Sequence, residues 1–183
     1  GEVGKVAGNL LQRDFEASKP CEKWVTDITQ FNVAGTCLYL SPIMDLYNRE
    51  VVSYSIGESP GMDLIREMLE KSERRIVREG LILHSDQGWQ YQQKSFQRFL
   101  TAHWMTQSMS RKGNCYDNAI IENFFGTLKC ETIYIEKIET VNDLKKAIIE
   151  YIDYYNKCRI QVRLKGLSPI DFGKQSLRQN ILF

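Results

Sequence analysis

Three acidic residues stand where the surrounding pattern is apolar. In residues 24–31 the alternation of a strand places Val25, Asp27, Thr29 and Phe31 on one face, so Asp27 is an acid flanked by apolar and β-branched groups. A bare carboxylate there is costly unless it is hydrogen-bonded, lies at an open rim or binds a cation. Asp86 follows the apolar run Leu81-Ile82-Leu83 within His84-Ser85-Asp86-Gln87-Gly88. That is where open α/β sheets form their sites, beyond the carboxyl end of a strand, although Asp, Ser and Gly also make an ordinary turn. Glu122 interrupts the apolar stretch 119–125 and shares a helical stripe with Asn118, Ala119, Phe125 and Gly126, where the plain alternative is a wet helix edge. Three acids on three separate elements are the hard oxygen donors that Mg²⁺ or Mn²⁺ prefers. Two such ions about 4 Å apart suit an in-line displacement at a phosphodiester, one activating the attacking oxygen and the other stabilising the leaving one. Lys129 stands seven residues beyond Glu122, which returns it to within roughly 20° of the same helix face, either to hold a DNA phosphate or as a solvated cation.

The elements that must position these groups follow from periodicity. Residues 24–31, 36–45 and 50–56 are rich in β-branched and aromatic side chains and read as three antiparallel strands. After Ser59-Pro60-Gly61, the positions Met62, Ile65, Met68, Leu69, Ser72 and Ile76 recur at helical spacing, and Gly80 ends that helix. Residues 81–83 form a short buried strand, 91–102 a helix, and 103–107 a further short strand. A helix over 117–130 follows the loop 108–116. Thr140-Val141-Asn142-Asp143 then opens a long helix running to about residue 156, in the manner of a capping box. The sum is a mixed α/β sheet covered by helices. Three segments are expected: a linker or leader over 1–21, a core over 22–160 and a basic tail over 161–183.

Composition narrows the function classes. With 43% apolar and 26% charged residues in 183, the chain is a folded domain of ordinary size, neither disordered nor fibrous. No apolar run is long enough to span a membrane, and the opening residues lack the apolar core of a secretory signal. Cys21, Cys37, Cys115, Cys130 and Cys158 form no CxxC pair, and His84 and His103 are too scattered for a zinc site, so the cysteines read as reduced cytosolic thiols. Neither GxGxxG nor GxxxxGK[ST] occurs. The net charge of +1 argues against a simple basic coat protein for nucleic acid, but Lys157, Arg159, Arg163, Lys165, Lys174 and Arg178 concentrate positive charge near the C-terminal end.

At these residues the chain resembles the catalytic core of bacterial insertion-sequence transposases, the group that shares the integrase core of retroviruses. Asp27 stands in Trp24-Val25-Thr26-Asp27-Ile28-Thr29, Asp86 in His84-Ser85-Asp86-Gln87-Gly88-Trp89-Gln90-Tyr91, and Glu122 in Asp117-Asn118-Ala119-Ile120-Ile121-Glu122-Asn123-Phe124-Phe125. Thirty-five residues separate Asp86 from Glu122, the spacing by which the family is described, and Lys129 falls on its basic position. The block Tyr154-Tyr155-Asn156, Arg159 and Gly166-Leu167-Ser168-Pro169 is similar to the family's C-terminal motif. Asn123 departs from the Ser that many members carry after the Glu. Helix-turn-helix segments ahead of the core find no room before Glu22, so the chain looks like the catalytic part of a longer protein.

The resemblance implies a ribonuclease-H-like fold, a five-stranded mixed sheet flanked by helices with the three acids converging at one edge. It implies two ions of Mg²⁺ or Mn²⁺ held by Asp27, Asp86 and Glu122. It also implies strand cleavage at transposon ends by an activated water, followed by attack of the freed 3′ hydroxyl on target DNA. Lys129, Arg111 and Lys112 would meet phosphates, and the small polar loop 110–114 would let backbone approach DNA. Separately, the positive charge of residues 157–178 suggests that Arg159 and Arg163 track DNA phosphates, the plain alternative being a solvated helix end whose cations suit the negative pole of the preceding helix. Asn118 and Gln87 would orient carboxylates or DNA, or serve as plain hydrogen-bonding groups. His84 invites the role of general base, but with two metals to activate water a structural imidazole is the simpler reading. The partners implied are DNA and further copies of the chain assembled on it, in a cytoplasmic, nucleoid-associated bacterial protein. The rival readings are a nuclease on the same scaffold that never joins strands, and a DNA-binding module whose catalytic set has decayed. Without metal, mutual repulsion of the acids is expected to leave the site open.

Overall fold

The computed structural model describes residue 4 and residues 6–77, 79–113, 115–133 and 138–181. The first three expected strands are present as β1 (Lys23–Thr26) with β2 (Thr29–Val33), β3 (Thr36–Asp45) and β4 (Val51–Gly57). Both β1 and β2 pair antiparallel with β3 in one unbroken register, Thr26 opposite Ile43 and Thr29 opposite Leu40, while β4 takes the other edge of β3. The two are therefore one strand interrupted at Asp27 and Ile28, and the six named strands make the expected five-membered sheet. The interruption has a local cause. Ile28 N donates to Asp27 Oδ1 at 2.7 Å instead of joining the ladder, and the register sets Asp27 against Pro42, whose nitrogen has no proton to give.

Helix α1 (Met62–Ser72) is followed by β5 (Ile82–Ser85), α2 (Lys94–Ala102) and β6 (Thr106–Met109). β5 lies parallel to β1, and β6 parallel to β5. The sheet order is thus β4, β3, β1 with β2, β5, β6. The last strand lies later than expected because residues 103–104 form a turn, with Trp104 at φ +51°. Helices α3 (Ala119–Leu128) and α4 (Val141–Lys157) complete the expected set, and Thr140 and Asp143 make the reciprocal capping box that starts α4. Where the sequence suggests only a basic tail, helix α5 (Pro169–Ile181) is formed. The residues at its start carry the signal for it: Ser168 and Asp171 exchange contacts across the first turn, and Pro169 sits where its missing N–H costs nothing.

Period-two alternation divides the interior into two cores. Trp24, Ile43 and Leu83 pack under α1 and α2 with Ile65, Met68, Phe96 and Leu100. Val25, Phe31, Leu40 and Met44 point to the opposite face, beneath Ile121, Phe124 and Leu128 of α3 and Ile148 and Tyr151 of α4. Asp27, two residues beyond Val25, consequently belongs to the face that α3 covers. Residues 6–15, which show no period in the sequence, lie against the outer edge at β6. Met109 N donates to Gly8 O at 3.1 Å, Leu10 N to Ser108 Oγ at 2.9 Å, and Leu11 is buried. This covers an edge that would otherwise present unpaired backbone groups.

Candidate active site

Three parallel strands end side by side, and the residues just beyond their carboxyl ends line one cleft of about 730 Å³. Asp27 lies past β1, Asp86 past β5, and Ser110, Arg111 and Lys112 past β6, while Asn118 and Glu122 close the cleft from the start of α3. The carboxyl ends of strands in an open α/β sheet are where such sites form. The structure therefore brings together seven of the residues singled out in the sequence: Asp27, Asp86, Glu122, Gln87, Arg111, Lys112 and Asn118. Asn114, from the same loop, lies outside the described residues.

Each acid is held differently. Asp86 Oδ1 accepts from Gly88 N at 2.8 Å. A Cβ on Gly88 would stand 2.9 Å from that same oxygen and 3.3 Å from the Tyr91 ring, so this glycine is needed for close approach. Gly88→Ala is expected to displace Asp86 while thermal stability falls only slightly, and, were Asp86 to act in catalysis, to lower turnover on the order of tenfold to a hundredfold. An unchanged rate would show that Asp86 tolerates the shift. Asp27 is partly buried, and its Oδ1 accepts the Ile28 N–H. Burial, with Asp86 and Glu122 nearby, pushes its pKa up from 3.8 to about 7 against the opposing pull of Ile28 and Asn118. Asn118 is 3% exposed, and its amide favours the charged form of Asp27, yet neither Nδ2 nor Oδ1 closes a hydrogen bond among the described residues. The contact is electrostatic, with a polar group left over. Glu122 is exposed and makes no hydrogen bond or ion pair among the described residues. Among those residues no three acids, histidines or cysteines lie close enough together to hold an ion as they stand.

The basic edge of the cleft is fixed by Asp117, a residue that no sequence pattern singles out. Its side chain is fully buried and accepts from Arg111 N and Nε, both at 3.0 Å, from Arg111 Nη2 and Arg13 Nε, both at 3.1 Å, and from Asn9 Nδ2 at 3.0 Å. The Arg111 guanidinium holds this carboxyl well below the usual carboxylate range. An acid just ahead of a helix and near two basic residues is the available signal, but its partners Asn9 and Arg13 lie far away in sequence. Gln87 Nε2 donates to Ser110 O at 3.0 Å and Gln92 Nε2 to Gln87 O at 2.6 Å, tying the loops after β5 and β6 together.

His84 is buried outside the cleft. Its Nε2 faces Asp117 O at 2.9 Å and its Nδ1 faces Ser108 Oγ at 2.7 Å. A carbonyl only accepts, so Nε2 carries the proton and Nδ1 receives one from the serine. Burial lowers its pKa and keeps the ring neutral. The imidazole is a brace under the Asp117 turn. His84→Gln is expected to cost about 1–3 kcal/mol of stability, as for a lost buried partner, without moving the pH profile of catalysis. A shifted profile would restore the general-base role.

The remaining basic candidates lie elsewhere. Lys129 Nζ stands 5.2 Å over the Phe31 ring. Arg159 pairs with Glu131 and Arg163 with Glu16, and both line a separate cleft. Of the aromatic residues, Trp24, Phe124 and Phe125 are core, whereas Trp89 and Trp104 are exposed.

This is a ribonuclease-H-like α/β fold with an acidic cleft at the ends of its parallel strands. The integrase core domain family matches residues 17–115, and a second integrase core domain family matches 122–177. The chain belongs to the integrase core domain family. It is 52% identical over 177 residues to the Escherichia coli K12 protein named "Putative transposase InsK for insertion sequence element IS150", covering 96% of this chain and 62% of that protein. It is also 52% identical to a transposase-like protein of Haemophilus influenzae, covering 82% of its length, and 37% identical to transposase InsF for insertion sequence IS3A of Escherichia coli K12, covering 60%. The chain thus spans less than two thirds of two of these relatives. Among solved structures, the HTLV-2 integrase catalytic core domain in complex with magnesium superposes with a TM-score of 0.67 at 17% identity, over 86% of this chain and 99% of that one. No described helix is long and apolar enough to cross a membrane.

Proposed function

We propose that the chain is the catalytic core of an insertion-sequence transposase that cuts DNA at transposon ends and joins the freed 3′ ends to target DNA. The observation that carries this is the meeting, in one cleft, of three carboxylates from separate elements with the basic Arg111 and Lys112 at its edge. The relatives it matches over nearly all its length are named as transposases.

The donor set suits a hard divalent cation. The cleft is lined by carboxylate, amide and backbone oxygens with neither thiol nor imidazole among the described lining residues. Asp27, raised to about 7 by burial and its neighbours, is the kind of strained acid that a cation relieves. Asp27, Asp86 and Glu122 would hold two ions of Mg²⁺ or Mn²⁺, with Glu122 turning inward from its exposed position. Bound there, they supply a Lewis acid for the phosphodiester and lower the pKa of a nucleophilic oxygen.

The chain's own groups do the positioning. Gly88 N fixes Asp86, and Ile28 N fixes Asp27. Arg111, clamped by Asp117, presents a fixed charge for a phosphate, and Lys112 an exposed one. Asn118 has amide atoms free to orient a carboxylate or a strand end. Gln87 keeps the two loops in register, and Lys129 serves DNA further along the face of α3. The protein works as an oligomer assembled on DNA in the cytoplasm.

A Mn²⁺-dependent assay of the full-length protein, with an oligonucleotide ending in a recessed 3′ hydroxyl, tests the reading. Nicking followed by joined product is expected. Nicking without any joining would make the protein a nuclease, and no nicking would make it a decayed binding module.

A further inference from the structure

A second cleft, of about 190 Å³, lies on the neighbouring face of α3, where Asn123 and Thr127 line it opposite Arg49. Arg49 stands in the turn between β3 and β4, its N donating to Asp45 O at 2.9 Å, with φ at +63°. That left-handed conformation is unfavourable for a side chain as large as arginine, and such residues concentrate at functional sites. Arg49 is 4% exposed, yet neither Nη1 nor Nη2 finds a hydrogen-bond partner among the described residues. Burial, then the nearby Arg163, pulls its pKa down to about 10, which still leaves a cation at neutral pH.

The acids around it are already engaged. Glu131 grips Arg159 at 2.6 and 2.8 Å, and Glu16 grips Arg163 at 2.6 Å. Asp45 spends its oxygens on Cys21 N at 2.8 Å and Tyr47 N at 2.9 Å. A second donor in the same cleft, Gln161 Nε2, is shielded from solvent and faces Tyr155, with no hydrogen bond closed among the described residues. A buried cation whose terminal nitrogens find no acceptor among the described residues calls for a ligand that is anionic and only accepts. A guanidinium with both terminal nitrogens free matches the paired oxygens of a phosphate.

We propose that this cleft binds one backbone phosphate of the DNA strand that leaves the catalytic cleft across α3. The placement comes from the helix: Glu122 turns to the catalytic cleft and Asn123 to this one. Inorganic phosphate shares the chemistry, so it is the probe for the pocket itself. The DNA assignment rests on the function proposed above, but the measurements need neither metal nor turnover, so a failure of strand joining leaves them readable.

The 183-residue chain, free of metal, is melted with increasing inorganic phosphate. The melting temperature is expected to rise, and the rise to vanish in Arg49→Gln. Because that variant removes a buried side chain, Thr127→Glu serves as a second test. It sits half-buried on α3 and adds a carboxylate to the lining that Arg49 shares, where it competes with a bound anion. No shift in the wild-type chain, or an equal shift in both variants, overturns the site. Affinity for random duplex is then measured between about 50 and 200 mM salt. Losing one phosphate contact flattens the slope of log K against log salt by about 0.9. An unchanged slope in Arg49→Gln, with phosphate binding lost, overturns the DNA assignment and leaves a site for free phosphate.

Discussion

Asp86→Asn is expected to abolish strand cutting and strand joining together, by a factor on the order of 10³ or more, because several kcal/mol of charge stabilisation at the phosphodiester depends on a metal ligand. The amide oxygen can still accept the Gly88 N–H that Asp86 Oδ1 receives at 2.8 Å, so the loop keeps its shape. Affinity for DNA should change by less than about threefold, since phosphate contacts come from the cations and not from this acid. The variant thus separates binding from chemistry. Parallel assays of filter-bound duplex and of Mn²⁺-dependent nicking check it, and retained nicking would remove Asp86 from the reaction.

Asp27→Asn should stabilise the metal-free chain. A carboxyl whose pKa rises from 3.8 unfolded to about 7 folded binds its proton more tightly in the native state. Between those pH values the native chain holds more protons than the unfolded one, so stability falls as pH rises, and below 3.8 the penalty is gone. Its ceiling is about 4 kcal/mol at 1.36 kcal/mol per tenfold. Removing the charge should therefore raise the metal-free melting temperature at pH 7 by several degrees, at about 2–4 °C per kcal/mol for a chain of this size, and flatten the decline between about pH 4 and 7. Mn²⁺ should stabilise the wild-type chain and not the variant, because only a ligand that binds the native state shifts the equilibrium. A lower melting temperature for the variant at pH 7 would show that Asp27 carries no such penalty. On the proposed function catalysis is lost as well, which makes Asp27 an acid kept for chemistry at the expense of stability.

The sheet and its helices are legible in the sequence because burial on one face leaves a period. Val25, Phe31 and Leu40 alternate, and Ile121, Phe124 and Leu128 recur at helical spacing. Asp27, Asp86 and Glu122 are legible for the complementary reason, as charges inside those patterns. The features that escape depend on contacts between distant segments. The break at Asp27 and Ile28 comes from a side chain capturing a backbone proton, which no periodicity records. Asp117 looks like an ordinary residue ahead of a helix until Asn9 and Arg13 arrive from the first segment. Arg49 reads as a turn residue, and its burial is set by the C-terminal block that folds over it. Helix α5 is obscured by its basic residues and Gly173, although Ser168, Pro169 and Asp171 mark its start.

The clamp on Asp117 also has a kinetic side. Asn9 and Arg13 reach it across 108 and 104 residues of chain, and ends so far apart in sequence meet late, after the local hairpins and helices have formed. Arg111 is pinned only once they arrive, and Asp27, Asp86 and Glu122 are themselves delivered by three separate segments. A chain whose strands and helices have formed can still lack the assembled cleft. The arrangement of the cleft thus appears with the last contacts to close.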